Sequence, residues 1–205
     1  MKIHDITMPI YEGMPVYKNK QEKQPELRTK TNGHVTESRL CLDVHTGTHI
    51  DAPLHMMNDG ETFESIAIER LVRQCKVFDM TAVEEKITLK DIENLSIGEG
   101  DFVLFKTKNS FDEIFNFDFI FVAEDAARHL AEKGISGVGI DALGIERAQE
   151  GHPTHRTLMS KDIIIIEGLR LGEVKAGEYL MVAAPLKLQG TDAAPARILL
   201  IENQS

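Results

Sequence analysis

Residues 43–55, DVHTGTHIDAPLH, place Asp43, His45, His49, Asp51 and His55 in one short stretch, all at odd positions. Imidazoles and carboxylates bind divalent metals and move protons near neutral pH. His45 and His49 are spaced to share one face of a helix, as in helical metal sites. Gly47, set between Thr46 and Thr48, argues against a helix, because glycine and β-branched residues propagate one poorly. In an extended chain the odd positions share a face, so His45, His49 and Asp51 converge there too. The favoured reading is a strand end running into a loop, with Pro53 ending regular structure. Two imidazoles and a carboxylate suit Zn²⁺, Mn²⁺ or Fe²⁺ and leave positions open for water and substrate. Zinc lowers the pKa of a bound water to about 7. His55 is either a fourth ligand or a free acid–base beside the metal. Asp43 is assigned to orienting a ligand or capping the strand, outside the site. A lone histidine is usually structural; a cluster in register with an aspartate calls for another explanation.

The elements that must hold this cluster follow from the rest of the chain. Residues 2–7 read as a short strand and the proline-bearing, polar stretch 9–33 as a long loop. Residues 36–45 alternate, with Leu40, Leu42 and Val44 on one side, as in a strand. Strands are expected at 75–80, 101–107, 118–123, 136–141, 162–169, 179–186 and 196–202. A short helix opens at Thr88, a longer one spans 124–134 and closes at Gly134, and 142–149 and 154–161 read as helical. The fold class expected is α/β, one domain over residues 1–205, with a mixed sheet.

Bulk properties narrow the partners. The chain has 205 residues and a formal net charge of −10, which repels a phosphate backbone, so nucleic acid is not expected. No apolar run approaches the roughly 20 residues that span a bilayer, and the start lacks a signal-peptide core, so no membrane and a cytoplasmic location are expected. Cys41 and Cys75 lack metal or redox spacing and are expected to be reduced.

HTGTHIDAPLH resembles the HxGTHxDxPxH signature of the cyclase-like metal-dependent hydrolases, among them the bacterial kynurenine formamidases (arylformamidases) and the isatin hydrolases. The likeness continues in HRTLMSKDIIIIEGLRL, in VGIDALGIE and in the closing APLKLQGTDAAPARILLIE. It implies a swivelling β/β/α fold with a barrel-like sheet. It also implies a first metal on His45, His49 and Asp51, and a second on His155, with Asp51 and Glu167 bridging. His55 becomes the proton carrier. The implied cofactor is a divalent metal, Zn²⁺ at two per subunit or else Mn²⁺, in a homodimer or homotetramer. The implied reaction is hydrolysis of an aryl formamide such as N-formylkynurenine; ring opening of isatin or a related lactam is the alternative. One departure stands out. Tyr17, in MPVYKNK, occupies the position of a family Trp that packs on the substrate, and the Pro-Gly that follows it in the family is missing. Tyr17 is expected to stack on an aromatic ring. Two further readings compete: an iron oxygenase using His49, Asp51 and His155, and a metal-binding domain without chemistry.

Overall fold

A computed structural model describes residues 1–202. In chain order the strands and helices are β1 (Ile3–Asp5), β2 (Glu26–Asn32), β3 (Val35–Cys41), β4 (His49–Asp51), β5 (Val72–Asp79), β6 (Lys86–Ile87), α1 (Leu89–Ile92) and β7 (Phe102–Lys106). They continue as β8 (Phe121–Val122), α2 (Glu124–Glu132), β9 (Gly137–Ile140), α3 (Pro153–Met159), β10 (Ile164–Glu167), β11 (Gly177–Pro185) and β12 (Ala193–Glu202).

The main sheet runs β12-β11-β5-β7-β9-β10-β4, and β4 pairs back onto β12, closing a seven-stranded barrel with β1 alongside β12. The strands β5, β7, β9 and β10 run parallel; β4, β11 and β12 join antiparallel. Closure leaves the short strand β4 no free edge. Alternate residues of each strand serve two cores. Ile50, Phe102, Leu104, Ile166, Met181 and Ile198 belong to one cluster. Val103, Phe105, Val138 and Ile165 belong to the other, with Ala127 and Leu130 of α2 and Leu158 of α3. The barrel agrees with the mixed-sheet expectation.

The expected loop 9–33 is only partly a loop. From Glu26 onward the chain is a strand, paired in register with β3 from Glu26 opposite Cys41 to Asn32 opposite Val35. Every residue of both strands is exposed. ELRTKTN has no apolar face, so a search for hydrophobic periodicity passes over it. The strand expected over 36–45 ends at Cys41, and Leu40 is 49% exposed, so its alternation marks no buried face. Residues 142–149, expected as a helix, are irregular. The Ile145 N–H donates to Glu167 Oε1 at 2.6 Å and Ala148 takes φ +51°, so this segment is drawn across the mouth of β10 instead of coiling. The strand expected over 118–123 is the two-residue β8.

Candidate metal centre

The odd-numbered cluster is built on a turn followed by a strand. Asp43 Oδ1 accepts from the His45 N–H at 2.8 Å, as its capping assignment requires, and Gly47 turns the chain at φ +65°. His45 therefore lies before β4, not in it. Register then does the rest: β4 inserts between β10 and β12 with His49 opposite Glu167 and Asp51 opposite Ile165 and Ala193. Thr48 Oγ1 donates to the Gly168 carbonyl at 2.6 Å and accepts from the Met8 N–H at 2.7 Å, fixing the turn to β10. His155 comes from α3, where Pro153 occupies the first turn, a position that needs no backbone donor.

Gly168 and Gly47 touch. A Cβ at Gly168, which has φ +71°, would sit 2.3 Å from the Gly47 carbonyl oxygen. Gly168→Ala is expected to destabilise by about 1–3 kcal/mol, from left-handed backbone strain and this clash. It should also push away the turn carrying His45. A melting curve together with a metal titration checks both effects.

The five residues expected as ligands come together. His45 Nδ1 lies 3.2 Å from Asp51 Oδ1; His49 Nε2 lies 3.5 Å from Asp51 Oδ1 and 3.3 Å from Glu167 Oε2; His155 Nε2 lies 3.2 Å from Glu167 Oε1 and 3.6 Å from Asp51 Oδ2. Each histidine spends its other nitrogen elsewhere. His45 Nε2–H donates to Asp192 Oδ2 at 2.9 Å, His49 Nδ1–H to the Gly47 carbonyl at 2.9 Å, and His155 Nδ1–H to Glu146 Oε1 at 2.6 Å. With those protons placed outward, the inward nitrogens of three imidazoles face two carboxylates. His49 Nε2 and both Asp51 oxygens are buried and have no hydrogen-bond partner. A proton or a metal cation must lie between such groups in a buried site, and a metal can replace the protons that the carboxylates otherwise hold on His45 and His155. Two overlapping groups, His45–Asp51–His55 and His49–Asp51–Glu167, have atoms close enough to hold a metal ion. A divalent ion fits this donor set.

Sequence reading missed two carboxylates. Asp192 accepts from both His45 and His55, the latter through Nδ1 at 3.2 Å; Glu146 accepts from His155 and from the Thr154 N–H at 2.9 Å. Both sit in stretches noticed for family likeness, and the acid ending the apolar run VGIDALGIE was a legible signal. Asp141 in the same run is structural: Thr107 and Ser110 each donate backbone and side-chain groups to it, and burial pushes its carboxyl up.

Burial opposes a charge on His45, yet the Asp51, Asp192 and Glu167 carboxylates outweigh it and raise its pKa to about 9. Burial and the nearby Asp51 push the Glu167 carboxyl up, but His155 and His49 bring it down to about 2. In the metal-free protein His45 therefore binds a proton more tightly folded than unfolded. That stabilisation is complete below its ordinary value of 6.5 and is lost as pH rises through about 9. The metal-free melting temperature is expected to fall across this window. Saturating metal should flatten the slope, since a bound imidazole holds no proton at that nitrogen. Melts at stepped pH, with and without chelator, test this.

The site opens into a pocket of about 210 Å³. His55 and His45 stand on one wall with ring centroids 4.2 Å apart, while Tyr17, Met56 and Leu143 supply apolar surface. Tyr17 lines the pocket, half-buried and edge-on to Phe115 at 5.4 Å.

The Cyclase family model matches residues 4–147. The chain belongs to the Cyclase family. Among relatives in this family, the kynurenine formamidase of Salinibacter ruber is 32% identical over 206 residues, covering 98% of this chain and 97% of that one. A solved structure described as a potential metal-dependent hydrolase with cyclase activity is 67% identical, covers 100% of this chain and 99% of its own, and superposes with a TM-score of 0.95. Isatin hydrolase A of Labrenzia aggregata shares the fold at a TM-score of 0.85, with 23% identity over 98% of this chain and 94% of its own. The cyclase-like fold expected from the signature is thus the fold observed. Among the described residues no helix is long and apolar enough to cross a membrane.

Proposed function

We propose that this Cyclase-family chain, residues 1–205 acting as one unit, is a metal-dependent amide hydrolase that removes the formyl group from an aryl formamide such as N-formylkynurenine. The carrying observation is the division of labour among the histidines. His45, His49 and His155 each come within 3.3 Å of Asp51 or Glu167, whereas the ion pair of His55 among the described residues is with Asp192 and its ring lines the pocket. In this reading His45, His49, Asp51, His155 and Glu167 hold the metal, Zn²⁺ at two per subunit or else Mn²⁺. When bound there, the ion supplies Lewis acidity and a water acidified toward neutral pH. Five convergent ligands exceed the three an oxygenase of the competing type needs, and a free His55 gives the site a proton carrier that a bare metal-binding domain would not use.

The protein's own part is proton handling and positioning. Burial, aided by the nearby His45 and His155, keeps the His55 pKa below its ordinary 6.5 despite Asp51 and Glu167, so the ring is neutral at pH 7. It accepts a proton as water adds to the formyl carbon and returns it from Nε2 to the departing nitrogen as the C–N bond breaks. Formate and an arylamine are the products. An amine leaves poorly without that proton. Tyr17, Met56 and Leu143 would hold the ring.

Asp192→Asn is expected to lower kcat about 10- to 100-fold, the usual cost of removing a carboxylate that orients a ligand or base. Metal stoichiometry measured alongside kcat separates slackened His55 from a lost His45. The main test supplies N-formylkynurenine to metal-loaded protein with and without chelator. Chelator-sensitive release of the arylamine supports the reading; no turnover with metal bound rejects it and moves the search to cyclic amides. The exposed hairpin β2–β3, with Leu27, Val35 and Leu40 in water, supports a homodimer or homotetramer, tested by sedimentation. Cytoplasmic residence is proposed from the unpaired Cys41 and Cys75.

A further inference from the structure

The pocket is lined by histidines with Glu146 and Glu167, by Tyr17 and Leu143, and by two lysines, Lys20 and Lys23. Both lysines lie on the two short 3-10 turns, Tyr17–Asn19 and Gln21–Lys23, and on the residue joining them. This is the segment where the sequence departs from the family's Trp-Pro-Gly pattern.

The lysines are held, but not by the buried carboxylates. Lys23 Nζ donates to Asp43 Oδ2 at 3.1 Å, and Asp43 in turn accepts from the His45 N–H, so this ammonium is tethered to the turn that carries His45. Its side chain is 27% exposed and has further donors to offer. Lys20 is 3.9 Å from Glu22, a loose contact between exposed groups. Among the ion pairs of the described residues, neither lysine meets Asp51, Glu146 or Glu167. Their charge is therefore not spent on those carboxylates. In a chain with 33 acidic and 23 basic residues, the general field repels anions. Two lysines at one pocket oppose that field locally, Lys20 through a loosely held ammonium and Lys23 through the donors that Asp43 leaves spare.

We infer that Lys20 and Lys23 form an anion seat in the catalytic pocket, selecting an aromatic amide that carries a carboxylate away from the scissile bond. This rests on the amide-hydrolase reading above. In this arrangement the amide meets the histidines, the ring meets Tyr17 and the acid group meets the lysine pair.

The test compares metal-loaded wild type with a Lys20→Met/Lys23→Met double variant, which keeps the aliphatic stems and removes the charge. The probes are 4-formamidobenzoate and uncharged formanilide. Wild type is expected to favour the acid in kcat/KM by about tenfold or more, mainly through KM, since a charge-assisted contact at a partly exposed site carries at least that much. The double variant should lose about tenfold of this preference, Lys20→Arg/Lys23→Arg should retain it, and added salt should shrink it in wild type. A wild-type ratio near one, or a variant that slows both probes in proportion, overturns the seat. If metal-loaded wild type hydrolyses neither probe, the formamidase reading falls by itself. Calorimetric binding of 4-aminobenzoate then decides the seat: about tenfold weaker binding by the double variant supports it, and equal binding overturns it.

Discussion

His55→Ala is expected to lower kcat for aryl-formamide hydrolysis by about 10²- to 10⁴-fold, the range for removing a positioned acid–base, while the protein keeps its full metal complement. The geometry separates the two effects. His45, His49 and His155 point at Asp51 and Glu167 through one nitrogen each, and the other nitrogen of each is bound outward. His55 is paired with Asp192 and not with Asp51 or Glu167, and its ring lines the pocket. Its side chain is 25% exposed against 1% for His49, as a group that must meet substrate requires. The loss should fall on kcat more than on KM, because proton delivery matters only as the C–N bond breaks. A formamide with a much better leaving group needs that proton less, so the defect should narrow with such a substrate. Loss of metal from the purified variant, measured by elemental analysis, would make His55 a ligand and end this assignment.

Asp51→Asn is expected to abolish both activity and the stabilisation that metal confers. Metal at about a thousand times its Kd adds roughly 4 kcal/mol to a folded state that alone binds it. For a chain of this length that is a rise of roughly 10 °C in Tm. Asp51 is central to the proposed ligand set: its two oxygens lie near His45, His49 and His155, and neither has a hydrogen-bond partner. An amide of the same size offers one poor ligand oxygen and an N–H₂ group aimed at imidazole lone pairs. The metal-free variant should melt below metal-free wild type near neutral pH. Burial opposes the Asp51 charge, yet His155, His45 and His49 hold its carboxyl well below the usual carboxylate range, and in the variant that charge no longer offsets those imidazoles. Thermal melts with and without Zn²⁺ read this directly. A variant that still gains the full shift would show that Asp51 is not a ligand.

The local half of the site was legible because its residues are neighbours in the chain. His45, His49, Asp51 and His55 announce themselves by spacing, and Pro53 and Gly47 by the backbone they impose. Their partners were legible only through likeness. Nothing local links His155 to Glu167, since it is the packing of α3 on β10 that brings them within 3.2 Å. Asp192 was passed over because it acts through His45, far away in the chain, and Glu146 because the irregular segment that carries it reads as a helix in the sequence. The same division holds in the fold. Strands with an apolar face were readable, and so was helix α2. The hairpin β2–β3 was half-hidden, because its Thr and Lys residues form a ladder without burying a face. Residues 142–149 carried a helical pattern that lost to tertiary demand: the Ile145 N–H is bound to a side chain of the site instead of a helical carbonyl.

The way β4 closes the barrel also sets when the site can exist. Its three residues pair with nothing nearby; Asp51 lies opposite Ile165 on one side and Ala193 on the other. During synthesis the histidine-rich turn emerges early and must wait for the last quarter of the chain before either neighbour arrives. Such distant pairing is slow to nucleate, since a long loop must close before any contact rewards it. A truncated or half-folded chain thus carries the ligands of the turn without the carboxylate and imidazole that face them. On the ligand set proposed above, high-affinity metal capture would be a late event, and an ion bound at full strength would mark a chain that has finished folding.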